Sequence, residues 1–223
     1  MKNQLSTYKI VAIIIGVFAL FIGSIYLITK SSGKDHPSIF SVMKSDKLDE
    51  EIVNNKTKTE NLNEISDKII NALHERNMGK IAKYIHPDKG VTFSPYIFIE
   101  ENAPVFYKHD FKNFFRNDEK IYWGIYDGKG TDIYLTASQY FEEFIHSELY
   151  IKPDEINVNN INDSSNTENN VLKKFSDAET IEYYHEGTDK FAGIDWESIV
   201  LVYEKIGNDK FYLVAIVGNR WTV

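Results

Sequence analysis

The chain has 223 residues, a formal net charge of −8 at pH 7 and no cysteine. The lack of cysteine excludes disulfides, thiolate metal sites, a cysteine nucleophile and the lipid-modified cysteine of a bacterial lipoprotein. Residues 36–223 carry 21 basic and 32 acidic side chains, because residues 1–35 hold four lysines and one aspartate. The resulting net charge of −11 repels phosphate groups, so we expect no binding to nucleic acid.

An uncharged hydrophobic run near the N-terminus predicts a membrane anchor. At about 1.5 Å per helical residue, residues 10–29 cover about 30 Å, the thickness of the hydrocarbon layer of a bilayer. A cleaved signal peptide is the alternative, but the bulky residues 26–28 do not form the small-residue cleavage site that such a peptide needs. Lys2 and Lys9 lack neighbouring acids, which favours a cytoplasmic N-terminus and an extracytoplasmic C-terminal part.

Composition divides the chain into an anchor, a tether and one domain. We predict a cytoplasmic N-terminus over residues 1–9, a transmembrane helix over 10–29, a flexible polar tether over 30–60 and an extracytoplasmic domain over 61–223. The protein is therefore expected in the cell membrane as a single-pass protein of the bacterial envelope.

Capping patterns and apolar spacing predict three helices. Asn61 with Glu64 opens a helix that runs to about residue 75, and Asn77 caps a shorter helix that continues to about residue 85. Thr136 with Gln139 opens a third helix, whose apolar face runs to about residue 149.

The remaining apolar segments are typical of strands. Residues 91–93 and 96–99 are expected as two strand pieces broken at Pro95, and residues 156–158 as a further short strand. Gly128 and Gly130 indicate a tight turn in a hairpin that joins residues 121–126 to 133–135. The strands at the C-terminal end, residues 180–185, 198–206 and 210–217, are expected to form an antiparallel meander.

Both faces of residues 199–203 are apolar, so this strand is expected to be central and covered on both sides. The order of helices and strands predicts an α+β domain. Its expected architecture is a curved, cone-like antiparallel sheet with helices packed on one face.

Four separated motifs resemble an uncharacterised family of bacterial extracytoplasmic proteins, many of them lipoproteins. They are His86–Tyr96, Tyr122–Gly130, Asp195–Ser198 and Arg220–Thr222. The resemblance covers about residues 63–223 and implies an extracytoplasmic location without implying an activity. The chain differs from the lipoprotein members by lacking cysteine and carrying a hydrophobic helix, which changes the anchor and not the domain.

The helix pair followed by a long closing hairpin is also similar to the nuclear transport factor 2-like fold, a cone of curved sheet around a pocket. That fold hosts isomerases, dehydratases, binding modules and membrane-tethered assembly proteins, so the similarity implies no single function.

Four side chains are candidates for acid/base chemistry: His86, His185, Asp127 and Asp195. Each histidine taken alone is also explained by an ordinary turn or strand position. The chain lacks a phosphate-binding glycine loop, a nucleophile elbow and a zinc-binding helix motif, which favours a noncatalytic role and leaves the enzyme question open.

Two patterns resemble metal sites without meeting their requirements. Glu143 and His146 are spaced as metal ligands on a helix, but a second copy of the motif is missing. Residues 127–132 lack the ligand spacing of a calcium loop and are better explained as a hairpin turn. We predict neither a metal nor a cofactor.

Six aromatic side chains are candidates to line a ligand pocket, with core packing as the alternative. They are Tyr96, Trp123, Tyr126, Tyr184, Trp196 and Trp221. The leading hypothesis is a noncatalytic, membrane-anchored binding or interaction domain, whose partner is an envelope protein or a small molecule. The alternatives are a scaffold subunit of an envelope or secretion assembly, and a small-molecule lyase or isomerase.

Overall fold

The computed structural model of the chain describes residues 61–207 and 210–222. The predicted transmembrane helix over residues 10–29 and the predicted tether over 30–60 lie outside this part. Within it, no helix combines the length and apolar character needed to cross a bilayer.

The predicted helix starts are confirmed by their hydrogen bonds. Asn61 Oδ1 accepts the backbone N–H of Glu64 at 2.9 Å. Thr136 and Gln139 form the reciprocal capping box, in which each side chain accepts the other's backbone N–H, at 3.0 and 3.2 Å. The helices are α1 (Leu62–His74), α2 (Met78–Ile81), α3 (Ala137–Phe144), α4 (Ser147–Tyr150) and α5 (Val171–Lys174).

Two predicted helices end earlier than expected. Helix α2 stops at Ile81 and not near residue 85, because the backbone of residues 84–86 bonds to the main chain of Leu213. The N–H of Leu213 donates to the carbonyl of Tyr84 at 2.7 Å, and the N–H of His86 donates to the carbonyl of Leu213 at 3.0 Å. The third predicted helix is divided into α3 and α4, since Ile145 leaves the helical conformation with φ −111° and ψ 80°.

Residues 61–207 and 210–222 contain eight strands, which form a six-stranded sheet and a separate hairpin. The strands are β1 (Val91–Ser94), β2 (Val105–Phe106), β3 (Ile121–Ile125), β4 (Asp132–Leu135), β5 (Glu155–Val158), β6 (Glu179–His185), β7 (Glu197–Ile206) and β8 (Lys210–Arg220). The large sheet has the order β2-β1-β8-β7-β6-β5, and β3 pairs with β4. The predicted hairpin and the predicted antiparallel meander of the last three strands are therefore confirmed.

The large sheet is mixed and not wholly antiparallel as expected. Strand β1 runs parallel to β8, with Thr92 opposite Ala215 and Ser94 opposite Val217. The direction follows from the preceding segment, because residue 85 already forms a parallel bridge with residue 213 and the chain continues alongside β8. The α+β class is confirmed, with this one parallel pair as a correction.

The central strands bury side chains on both faces, as their sequence predicts. On one face Ile199, Leu201 and Tyr203 pack in a cluster with side chains of α1 to α4. On the other face Val200 and Val202 pack in a second cluster. This second cluster is completed by irregular segments and by α5, through residues that include Ile97, Ile99 and Val171.

Residues 96–99 are not the strand that the sequence predicts. The Ser94 hydroxyl donates to the carbonyls of Tyr96 and Phe98, at 2.7 and 3.3 Å, and so folds the chain back on itself. Asn170 holds the far end of the segment through both backbone groups of Ile99, at 2.8 and 3.1 Å. The segment therefore covers one face of the sheet, where Ile97 and Ile99 pack, instead of extending it.

The path of the segment after β1 depends on a glycine in β8. A Cβ atom built on Gly218 would lie 2.5 Å from the carbonyl oxygen of Pro95, closer than real contacts allow. Only glycine leaves room for Pro95 at this place.

We expect Gly218→Ala to lower the free energy of unfolding by about 1–3 kcal/mol, because the added methyl group must displace the Pro95 backbone. Chemical denaturation of the full chain measures the effect. Gly79→Ala is the matched control: its Cβ would meet nothing closer than 3.6 Å, and alanine favours a helix. Equal stability of the Gly218 variant and the unmodified protein would contradict the close packing.

Candidate ligand-binding cleft

A cleft of about 320 Å³ lies between the folded-back segment after β1 and the β3–β4 hairpin. This volume is at the small end of the range that binds small molecules. Its lining residues are Ser94, Pro95, Tyr96, Phe98, Glu100, Gly124, Ile125, Tyr126, Asp127, Gly128, Gly130 and Thr167.

Two aromatic rings of the cleft rest on the same core side chain. Tyr96 lies edge-on to Phe144 of α3 with ring centroids 5.8 Å apart, and Tyr126 lies 6.1 Å from the same ring. The Arg220 guanidinium lies 5.6 Å from the Phe144 centroid and donates to the Phe144 carbonyl at 2.9 Å. Because these supports belong to α3 and β8, the walls of the cleft are fixed before any ligand binds.

The two tyrosine hydroxyls are held by neighbouring groups. Burial and a hydrogen bond to the Glu143 carboxylate raise the pKa of Tyr126 to about 12. Burial also raises the pKa of Tyr96, against the opposing effects of the Arg220 charge and of the backbone N–H of Asp127. Both rings are therefore neutral phenols throughout the physiological pH range.

Asp127 ties the hairpin to two distant parts of the chain. Its Oδ2 atom accepts hydrogen bonds from the hydroxyls of Thr167 and, at 2.6 Å, of Thr222, while its Oδ1 accepts the N–H of Gly128 at 3.0 Å. The bonds from the two threonines lower the pKa of Asp127, so the carboxylate stays ionised. Asp127 therefore places a fixed negative charge at the wall of the cleft.

The electrostatics of the cleft are one-sided. Its lining, all within the described residues, has two carboxylates, Glu100 and Asp127, and no lysine, arginine or histidine. Lys129, in the hairpin turn, holds its ammonium group 5.4 Å from the centroid of the Tyr126 ring.

The six aromatic candidates divide between the cleft and other places. Tyr96 and Tyr126 are brought together in the cleft. Trp123 is fully buried, stacks on Tyr140 with centroids 3.8 Å apart and donates its indole N–H to a backbone carbonyl, so it belongs to the core. The other three lie outside the lining. Tyr184 and Trp196 pack on each other at 5.8 Å, and Trp221 is 41% exposed.

His86 and Asp127 lie at opposite ends of β8. His86 Nδ1 accepts the backbone N–H groups of Asp88 and Lys89, at 3.2 and 3.1 Å, which is the geometry of a turn. Its ring also packs on Tyr212, near the start of β8, whereas Asp127 bonds to Thr222 just beyond its end. At about 3.3 Å per residue, the strand separates the two candidates by roughly 30 Å.

The other two acid/base candidates have local partners of their own. His185 Nδ1 lies 3.0 Å from Asp154 Oδ2. The Asp195 carboxylate accepts the N–H and the hydroxyl of Thr188, at 2.7 and 2.8 Å. Of the four candidates only Asp127 lines the cleft. The hydrogen bonds from Thr188 and the nearby charge of His185 lower the pKa of Asp195, so these two candidates are neighbours, but the four do not converge on one site.

Glu143 and His146 point to different partners. Glu143 accepts a hydrogen bond from Tyr126. His146 Nδ1 lies 2.7 Å from Glu197 Oε2, and the Oε1 atom of Glu197 lies 3.3 Å from Arg220. In the part of the chain that the structure describes, no three histidine, aspartate or glutamate side chains are grouped to hold a metal ion.

Nine of the twelve lining residues were not candidates from the sequence, and they include the side chains of Phe98, Glu100 and Thr167. Phe98 and Glu100 follow from the fold-back after β1, and Thr167 is brought in by a loop that contacts the hairpin. No local pattern indicates that Thr167 reaches the hairpin. The serine before Pro95 is the one signal that points to the fold-back, because serine side chains bond readily to nearby backbone carbonyls.

No known family model, curated protein or solved structure matches this chain. The resemblance of its motifs to extracytoplasmic bacterial proteins stays a prediction, and the geometry of the cleft is the remaining indication of a function.

The contact between His146 and Glu197 predicts a pH-dependent stability. The hydrogen bond to Glu197 raises the pKa of His146 above its ordinary value of 6.5. Burial acts to raise the pKa of Glu197, but the bond from His146 and the Arg220 charge lower it below 4.5. The contribution of protonated His146 to the free energy of unfolding is therefore complete below pH 6.5. It is lost as the pH rises through the raised pKa. The contribution of ionised Glu197 to the free energy of unfolding is lost only as the pH falls below 4.5.

We expect His146→Gln to destabilise the protein at about pH 5.5 and to have a smaller effect at about pH 8.5, because the stabilising charge is lost as the pH rises through the raised pKa. Denaturant titration at the two pH values measures the difference. His109→Gln is the control, because the side chain of His109 is 81% exposed. An effect of His146→Gln that is the same at both pH values would show that the pair is not charged in the folded protein.

Proposed function

We propose that the protein is a membrane-anchored extracytoplasmic binding protein, whose domain holds a small ligand in the cleft without transforming it. The observation that carries the proposal is the pair of rings, Tyr96 and Tyr126, which both pack on Phe144 and both line the cleft. Small-molecule sites combine apolar walls with a few placed polar groups, and this cleft has both.

The proposal includes the finer features of the fold. Residues 10–29 would form the anchor, and the sheet would curve into a cone around its concave side. A register shift in the β7–β8 ladder between Val202 and Tyr203 supports such curvature, because bulges increase the bend and twist of a strand.

A lyase or isomerase is less well supported by the geometry. Acid/base catalysis needs its groups within hydrogen-bond reach of one substrate, and the length of β8 separates His86 from Asp127. Asp127 also has its carboxylate engaged by two threonine hydroxyls, which suits a fixed charge better than a proton carrier.

The binding proposal is tested with the full chain in micelles of a neutral sugar-based detergent. Saturation-transfer NMR against a mixed library of small sugars, amines, carboxylates and aromatic compounds should identify compounds that bind. We expect Tyr96→Leu to weaken the binding of these compounds by about 5-fold or more, since it removes one wall of the cleft.

Tyr134→Leu is the matched control. This tyrosine is in strand β4 of the hairpin that borders the cleft, is 53% exposed and does not line the cleft. A library without any bound compound, or compounds that bind equally to both variants, would contradict a binding function of the cleft.

The anchor is tested by deletion. We expect a chain without residues 1–30 to leave the membrane fraction, because it lacks the one segment long and apolar enough to span the bilayer. Protease added to intact protoplasts should then degrade the domain of the full chain from outside. Equal partitioning of both chains would overturn the anchor, and full protection of the domain would overturn the orientation.

A further inference from the structure

We propose that the cleft selects an organic cation, a ligand that carries an ammonium group on a small apolar body. This inference depends on the proposed binding function and names the ligand class of the same site. It is carried by the lining itself, which combines aromatic faces with two carboxylates and, throughout its described residues, no basic side chain.

The two carboxylates form no ion pair with a described basic side chain, although lysines lie nearby. Lys174 donates its ammonium group to the backbone carbonyl of Glu100 at 2.5 Å, and Lys129 lies at the Tyr126 ring. Asp127 is bonded only to hydroxyl and backbone donors, which hold the negative charge in place and do not neutralise it. Neither Asp127 nor Glu100 belongs to an ion pair formed between described residues. A cationic ligand would supply the missing charge, whereas an anionic ligand would be repelled.

The aromatic walls favour the same class of ligand. A cation within about 6 Å of a ring centroid is attracted by the negative face of the ring, and quaternary ammonium groups are recognised in this way. Tyr96, Phe98 and Tyr126 supply three such rings. The ammonium group of Lys129 already lies 5.4 Å from the centroid of Tyr126, so a ligand cation would have to displace it or bind to the other rings.

The charge of residues 36–223 acts in the same direction over a longer range. With a net charge of −11, this part of the chain raises the local concentration of cations and lowers that of anions. The interaction is weakened by salt, so the affinity for a cation should fall as the ionic strength rises.

The test compares isosteric ligands that differ in charge. Choline is titrated against 3,3-dimethylbutan-1-ol, in which a carbon replaces the charged nitrogen. Acetyl-lysine methylamide is titrated against acetyl-norleucine methylamide, which tests a lysine side chain as the source of the cation. The full chain is used at low salt in dodecyl maltoside, and the ring resonances of Tyr96 and Tyr126 report binding.

We expect at least one cation to bind about 3- to 30-fold more tightly than its neutral partner, the range of cation–π contributions. Preference for choline identifies a free quaternary ammonium compound as the source, and preference for the lysine derivative identifies a peptide side chain. Glu100→Gln should reduce the affinity for the cation several-fold. Glu101→Gln is the control, because this exposed neighbour does not line the cleft.

Equal binding of the charged and neutral compounds would overturn the proposal that the cleft selects a cation. It would leave the proposed binding function of the cleft intact. Binding of neither pair would also overturn it, and the library screen would then decide separately whether the cleft binds another class of compound. A cation preference that survives Glu100→Gln without loss, in a variant whose spectrum shows a folded protein, would remove the role of the carboxylate.

Discussion

The two-sided burial of β7 and β8 is the constraint on which the other features depend. Alternate side chains of β7 enter two different clusters, so both faces of the sheet must be shielded from water. Four helices cover one face. The other is covered by α5 and by irregular segments such as the one after β1, whose backbone is held by the side chains of Ser94 and Asn170. The cleft arises where this covering segment meets the β3–β4 hairpin.

The cleft is supported by side chains that do not themselves form its surface. Phe144 backs both tyrosine rings, and Arg220 lies over Phe144 while it bonds to Glu197. The walls are therefore connected to the partly buried contact between Glu197 and His146. Rigid support of this kind lowers the conformational entropy that a ligand must otherwise remove on binding. The charges are fixed in the same way, since Asp127 is held by threonines from two other segments.

Features that depend on near neighbours could be predicted from the sequence. The caps at Asn61 and Thr136, the glycine turn of the hairpin and the double-sided strand at residues 199–203 all follow from local spacing. The parallel pairing of β1 with β8 could not be predicted, because nothing local encodes a partner so distant in sequence. For the same reason the sequence could not decide which aromatic side chains are buried in the core. Trp123, a candidate for the pocket, belongs to the core.

The parallel pairing of β1 with β8 also has a consequence for how the molecule reaches its folded form. Besides the short β2, strand β1 has β8 as its sheet neighbour, and most of the domain's sequence separates the two. Contacts between distant segments form slowly, because the loop between them must first lose its entropy. Until residues 210–220 are available, the first helices and β1 have no finished sheet on which to pack. The core of the domain can therefore be completed only after its last strand has been made.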